Sequence, residues 1–90
     1  MEAAFIIKNQ CQSLKTEEVI HALAGMRPGL IKAHAVEVAG VLYPIKDAFA
    51  QATGIDRLDF GTVQARRVFE RLGFKVMRLP LEAPGIKRKG

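Results

Sequence analysis

The chain is poor in cysteine, in aromatic residues and in long apolar runs. Its one cysteine, Cys11, excludes an internal disulfide, and His21 and His34 lie too far apart in the sequence to suggest a zinc site. No apolar run reaches the roughly 18 residues that a membrane span requires, and no basic start with a small-residue cleavage site marks a signal peptide. The composition therefore predicts a soluble cytoplasmic protein without a metal or other cofactor.

Patterns typical of enzymes are also missing from the sequence. It contains no P-loop and no glycine fingerprint for a dinucleotide. Cys11 has no histidine near it in the sequence to act as a base, and the acidic residues are scattered. Glu17 and Glu18 are explained by the helix that begins beside them, where they complement the positive end of its dipole. We therefore expect that this chain is not an enzyme.

The charge of the 90-residue chain is positive and unevenly distributed. The net charge is +5 and the isoelectric point is about 9.8. Residues 1–56 contain five Lys and Arg residues against six acids, a net of −1, whereas residues 57–90 contain nine against three, a net of +6. Concentrated positive charge favours a polyanionic partner. The alternative is a protein with a solvated basic surface and no such partner.

Apolar spacing and capping residues predict three helices, which begin at Thr16, Pro44 and Thr62. The threonine hydroxyls at the first and third starts can cap free amides. Gly54 and Gly73 are suited to end the second and third helices, because glycine adopts the left-handed conformation at low cost.

Alternating apolar residues predict a β-hairpin over residues 34–43 with its turn at Gly40, and a strand over residues 75–79. Residues 3–7 fit either a short strand or a helix. In the connector before the third helix, Leu58 and Phe60 are expected to turn inward.

These elements predict an α+β fold: a small compact domain of three helices, a β-hairpin and a C-terminal strand, in a winged-helix-like arrangement. We expect one DNA-binding-like domain over residues 1–80. Residues 81–90, which include three consecutive basic residues at 87–89, are expected to form a basic flexible tail.

The third predicted helix carries the strongest functional pattern. One apolar stripe at helical spacing faces the core and consists of Ala65, Val68, Phe69 and Leu72. Gln64, Arg66, Arg67 and Arg71 lie off that stripe. An arginine fork can contact two phosphate oxygens or the O6 and N7 of guanine, and a glutamine amide can read adenine. Glu70 is placed to neutralise Arg66.

Other side chains are candidates for weaker contacts with a duplex. Lys46, Lys75 and Arg78 can contact phosphates, which positions a duplex without reading its sequence. Tyr43 can stack on a base, or it can pack with its hydroxyl at the surface. One tyrosine and no tryptophan offer little stacking surface for single strands, so double-stranded DNA ranks above RNA.

Residues 36–76 resemble the N-terminal DNA-recognition module of Mcr-type modified-DNA-dependent HNH restriction endonucleases. The matching positions form a Gly-x-x-Tyr-Pro-x-Lys turn, an Asp-Phe connector and a Leu-Gly-Phe-x-Val ending, carried here by Gly40, Tyr43, Pro44, Lys46, Asp59, Phe60, Leu72, Gly73, Phe74 and Val76. The chain departs from the family after Phe60, where Gly61-Thr62-Val63 replaces a Ser-Gly-Gly-type connector.

The resemblance implies a module that binds double-stranded DNA, recognises a modified cytosine and targets a nuclease domain or subunit in a restriction or defence system. No HNH core is present in this sequence, so cleavage is not implied for it. The alternative function is a protein-interaction or self-association module whose basic face docks an acidic partner.

Overall fold

The structure is a computed structural model that describes residues 1–31 and 33–78. Its elements in chain order are strands β1 (Glu2–Ile7) and β2 (Gln10–Lys15), helix α1 (Thr16–Leu23), strands β3 (His34–Val38) and β4 (Val41–Pro44), helix α2 (Ile45–Thr53), a short 3-10 helix (Arg57–Asp59), helix α3 (Thr62–Arg71) and strand β5 (Lys75–Arg78). The predicted α+β fold with three α-helices and antiparallel strands is confirmed within these ranges, and the arrangement is compatible with a winged-helix-like domain. The predicted tail at 81–90 lies outside the described residues.

The first two strands form a hairpin that sequence patterns did not predict. Lys8 and Asn9 form its turn with φ values of 53° and 62°, so both residues adopt the left-handed conformation of a tight two-residue turn. Ala3, Phe5 and Ile7 are buried on one face of β1. The intervening residues are also apolar, which hid the alternation that would have identified a strand.

The second sheet contains the predicted hairpin and the predicted C-terminal strand, which pairs with the first strand of the hairpin. Its order is β4-β3-β5, and both pairings are antiparallel. Ala39 and Gly40 form the turn between β3 and β4, with φ values of 51° and 81°. Val36 lies at the centre of the sheet, opposite Tyr43 on one side and Val76 on the other.

Phe49 of α2 is the centre of the core. Its ring lies 5.4 Å from the Phe5 ring of β1, 4.6 Å from the Phe60 ring of the connector and 5.8 Å from the Phe69 ring of α3, measured between centroids. The predicted stripe of α3 is buried against this cluster, with every member at most 2% exposed. Edge-to-face aromatic contacts add to the area that these rings remove from water.

The helix termini correct the predicted start of each helix. Pro44 ends β4 and occupies the capping position of α2, so it is not the first residue of that helix. Lys15 and Gly61 occupy the capping positions, so Thr16 and Thr62 are the first residues of their helices rather than their caps. The Thr16 hydroxyl instead donates to the backbone carbonyl of Leu72 at 2.9 Å, which links the start of α1 to the end of α3. A local capping rule could not anticipate that partner, because it lies 56 residues away.

The end of α3 follows the predicted glycine stop. Gly73 has a φ of 88°, and the Phe74 amide donates back to the carbonyl of Phe69 at 3.1 Å. The Phe74 and Phe69 rings meet edge to face at 6.0 Å.

The connector before α3 agrees with the prediction at one of its two apolar residues. Phe60 is buried as expected, but Leu58 is 90% exposed.

We expect Phe49→Ala to lower the free energy of unfolding by about 3–5 kcal/mol, because it removes a ring that joins three other elements and leaves a cavity. Urea denaturation followed by circular dichroism measures the change. The control is Leu58→Ala, which removes an exposed side chain and should change stability by less than about 0.5 kcal/mol. Equal losses in the two variants would contradict the central role of Phe49.

Candidate nucleic-acid interface

Helix α3 is held to the core by one face and presents charged side chains on the other. Arg66, Arg67, Glu70 and Arg71 are exposed, and Val63 in the first turn is 63% exposed. At 1.5 Å per residue, the ten residues of the helix span about 15 Å. The predicted division of α3 into a buried stripe and a basic outer side is therefore present in the structure.

A groove runs between α3 and strand β1, and we call it the arginine groove. It encloses about 460 Å³. Its walls combine one strand edge with one helix face, formed by Ala4, Phe5, Ile6, Gly61, Val63, Gln64, Arg67, Val68 and Arg71. Three of the four residues predicted from α3 as DNA contacts therefore line one concave surface.

Two of those three side chains bond to the backbone of β1. The Gln64 side-chain amide donates to the carbonyl of Ile6 at 2.7 Å, and the Arg71 guanidinium donates to the carbonyl of Ala4 at 3.2 Å. In the register of the hairpin, the carbonyls of Ala4 and Ile6 face away from β2. Gln64 and Arg71 thus satisfy acceptors on the open edge of a two-stranded sheet, and they hold α3 against that edge.

Arg67 lies between these two side chains on the same helical row. It is three residues after Gln64 and four before Arg71, which places it on the intervening turn. Among the described residues, no hydrogen bond or ion pair engages its guanidinium. Arg67 therefore offers a full set of donors to a ligand, whereas Arg71 has already committed one of its five.

Arg66 lies beside the groove and is paired as its spacing predicted. Its Nε atom lies 3.5 Å from a carboxylate oxygen of Glu70, and the two side chains are 49% and 50% exposed. An exposed pair at this separation contributes little stability and is easily replaced by another anion. Arg66 accordingly remains a candidate contact.

A second concave region lies where α2 and α3 begin, and we call it the polar cleft. It encloses about 400 Å³ and is lined by Leu30, Ala33, His34, Pro44, Ile45, Lys46, Asp47, Arg57 and Thr62. Lys46 places its Nζ atom 5.6 Å from the centroid of the Phe60 ring. Arg57 contacts the Asp47 carboxylate at 3.0 Å.

Tyr43, which was predicted as a possible stacking residue, is buried in the structure. Tyr43 is only 6% exposed, and its hydroxyl donates to the carbonyl of Leu23 at 3.3 Å. It therefore presents no ring face for a base, and we remove it from the candidate surface. Its burial follows from its position opposite Val36 on the core face of the sheet.

The two basic residues of β5 point in opposite directions. Val76 packs against the core, so the alternation of the strand sends Lys75 to the other face of the sheet, opposite Glu37. Arg78 is exposed at the end of β5, where it pairs in register with His34. Lys75 is therefore not part of the surface that contains α3.

Sequence patterns did not identify His34 and Arg57 as members of a common site. His34 begins a strand and Arg57 lies in a connector, so no local spacing relates them. They meet only because the sheet and both helices pack together. Within the described ranges, no cluster of three or more His, Cys, Asp or Glu residues is placed to hold a metal ion.

The class of protein that these features define is a small α+β domain with a basic helix face beside an open strand edge. The chain belongs to the SCO5918-like family, whose model matches residues 4–89. Comparison with curated proteins gave no match, and comparison with solved structures gave none either. Over residues 1–31 and 33–78, no helix combines the length and the apolar character that crossing a membrane requires.

We expect Gln64→Ala to lower the free energy of unfolding by about 1 kcal/mol, because the carbonyl of Ile6 loses its side-chain donor. Urea denaturation measures the loss, and hydrogen exchange of the β1 amides tests whether the hairpin loosens. The matched control on the same helical row is Arg67→Ala, which removes no bond to β1. If both variants were as stable as the unaltered chain, the anchoring role of Gln64 would be wrong.

Proposed function

We propose that this chain is a double-stranded DNA-binding module that acts by binding rather than by catalysis. The observation that carries the proposal is the exposed pair Arg66 and Arg67 on the outer face of α3. The opposite face of the helix is buried, so the two guanidinium groups project from a rigid support. Rigid support favours recognition because less conformational freedom is lost when a ligand binds.

The dimensions of α3 suit the major groove of DNA. That groove is about 12 Å wide and admits an α-helix, and an arginine in it can donate to O6 and N7 of guanine. Arg67 is the best candidate for such a contact because its donors are free of partners among the described residues. Gln64 and Arg71 act mainly as supports that hold the helix against β1, with their remaining donors facing the same groove.

Positive charge around α3 supports the same function. Between residues 57 and 78, and without Lys75 on the other face of the sheet, five arginines stand against two acids, a net of +3. Lys46 and Arg57 line the cleft that contains the first residue of α3. Cations at that end of the helix can hold phosphates on either side of a groove that the helix enters.

The finer proposal is that the module recognises a modified cytosine and targets a nuclease domain or subunit in a restriction system. Its support is the resemblance of residues 36–76 to the modules described above. Gly73 and Phe74, which carry part of that resemblance, serve the fold by ending α3 and packing on its last turn. They support a shared architecture more strongly than a shared target base.

A protein-interaction module is the second candidate, and one observation favours it. Ile6 and Val63 are 64% and 63% exposed, and both line the arginine groove. Apolar side chains beside arginines suit an acidic protein segment as well as a nucleic acid. A strand added to β1 would have to displace the bonds from Gln64 and Arg71, which disfavours this mode.

We expect the unaltered chain to bind a short DNA duplex, and Arg66→Gln with Arg67→Gln to weaken that binding strongly. Fluorescence anisotropy over a salt series measures affinity, and each lost phosphate contact should flatten the log–log slope by about 0.9. Loss of a contact with a base would lower the affinity without changing that slope. The matched control is Lys75→Gln, which removes a positive charge from the other face of the sheet.

Failure to bind any duplex at low salt would overturn the proposal, as would unchanged affinity in the double arginine variant. Recovery of an acidic protein partner by the unaltered chain, combined with no duplex binding, would favour the interaction module. Methylated, hydroxymethylated and unmodified duplexes compared at one salt concentration test the finer proposal. Equal affinities for the three would contradict recognition of a modified base but leave duplex binding intact.

A further inference from the structure

The open edge of strand β1 presents backbone donors to the arginine groove. Ile7 and Gln10 close the two-residue turn of the hairpin as a hydrogen-bonded pair, so Ala4 and Ile6 turn both their N–H and their carbonyl groups away from β2. Among the described residues, β1 pairs with no strand other than β2, and neither N–H meets an acceptor. Both residues are exposed and line the groove. Two backbone donors are therefore available at this edge.

The carbonyls of the same two residues are already occupied. Ile6 accepts the Gln64 side-chain amide at 2.7 Å, and Ala4 accepts the Arg71 guanidinium at 3.2 Å. Within the described ranges, two guanidinium groups line the groove and no carboxylate does. The groove is thus positively charged, its backbone acceptors are satisfied, and its backbone donors are not.

This combination selects a ligand that is rich in acceptors and poor in donors. An added peptide strand brings an N–H with almost every carbonyl, and its N–H groups would compete with Gln64 and Arg71 for the two occupied carbonyls. The sugar–phosphate backbone of DNA carries charged acceptor oxygens and no hydrogen-bond donor. It can therefore use the free N–H groups without displacing either bond.

The spacing of the two donors also favours a polymer. At about 3.4 Å per residue, the N–H groups of Ala4 and Ile6 are about 6.8 Å apart, which is too far for both to bond well to one phosphate. Successive phosphates of a DNA strand are separated by more than the axial rise of about 3.4 Å, because the strand also winds around the axis. Ile6 and Val63, which are 64% and 63% exposed, border the groove and can pack against the sugars between phosphates.

We propose that the open edge of β1 binds the backbone of one DNA strand, with the N–H groups of Ala4 and Ile6 and the remaining donors of Arg71 on successive phosphates. The inference rests on the proposed function and deepens it, because it states which part of the duplex lies against β1. Arg67 remains available for a base edge. Contacts between protein amides and phosphates fix the position of a protein on a duplex, so β1 would set how α3 enters the major groove.

Ala4→Pro tests the inference because proline has no N–H, and an edge strand tolerates proline where that N–H faces outward. We expect the variant to bind a short duplex about tenfold more weakly, since a hydrogen bond to a charged phosphate is lost. Fluorescence anisotropy measures the affinity, and circular dichroism checks the fold. The matched control is Ser13→Pro, which lies opposite Ala4 in the register and removes an N–H from the other edge of the hairpin. Equal affinities of the two variants would contradict the inference.

An NMR titration of the unaltered, labelled chain with the same duplex does not depend on the folding of a variant. The amides of Ala4 and Ile6 should shift more than that of Ser13. Duplex binding that depends on Arg67 but leaves these two amides unshifted would overturn the inference and leave the proposed function standing. Larger shifts with a hexaglutamate peptide than with the duplex would overturn the choice of a DNA strand. Absence of duplex binding at low salt would overturn the proposed function itself.

Discussion

The packing of Phe49 against three other aromatic rings is the interaction on which the rest of the structure depends. It joins β1 through Phe5, the connector through Phe60 and α3 through Phe69. The first and third of these contacts set α3 beside β1 and so create the arginine groove. The second contact fixes Phe60, whose ring in turn lies beside the Lys46 ammonium in the polar cleft. Both candidate surfaces thus have their geometry set by one buried side chain.

The contact between α3 and β1 stabilises the exposed edge of the first hairpin. It also reduces the number of α3 side chains that are available to a ligand. An isolated two-stranded sheet is marginally stable and exposes backbone groups at its edges. Gln64 and Arg71 donate hydrogen bonds to carbonyls on that edge, so polar side chains at these two positions are accounted for without a ligand. The same argument does not explain Arg67, which lies between them. The side chains that hold α3 in place can be distinguished from those available to a ligand only when the position of β1 is known.

Structural features that depend on only a few neighbouring residues were predictable from the sequence. The buried stripe of α3, its stop at Gly73 and the turn at Gly40 depend on local periodicity and on the conformational freedom of glycine. Features that depend on distant packing were not. Thr16 resembles a helix cap, yet its hydroxyl bonds to Leu72 near the other end of the described chain.

The same distinction applies to the candidate sites. Sequence spacing places Gln64, Arg67 and Arg71 on one side of a helix, and the structure brings all three to one groove. The sequence left Tyr43 open to stacking on a base or to packing, and its strand register turns the ring into the core. His34 and Arg57 share the polar cleft because two helices and a sheet converge there, and no linear pattern relates them.

The two surfaces lie along one rigid element, which constrains how a single ligand can use both. From Thr62 at the cleft to Arg67 in the groove is five residues, or about 7.5 Å along the helix axis. Successive nucleotides of one DNA strand are about 3.4 Å apart along the axis of the duplex. A single ligand that contacted both surfaces would therefore have to extend over a distance comparable to the rise of two nucleotides. An extended polymer, such as the duplex proposed above, meets that requirement, and a single small anion does not.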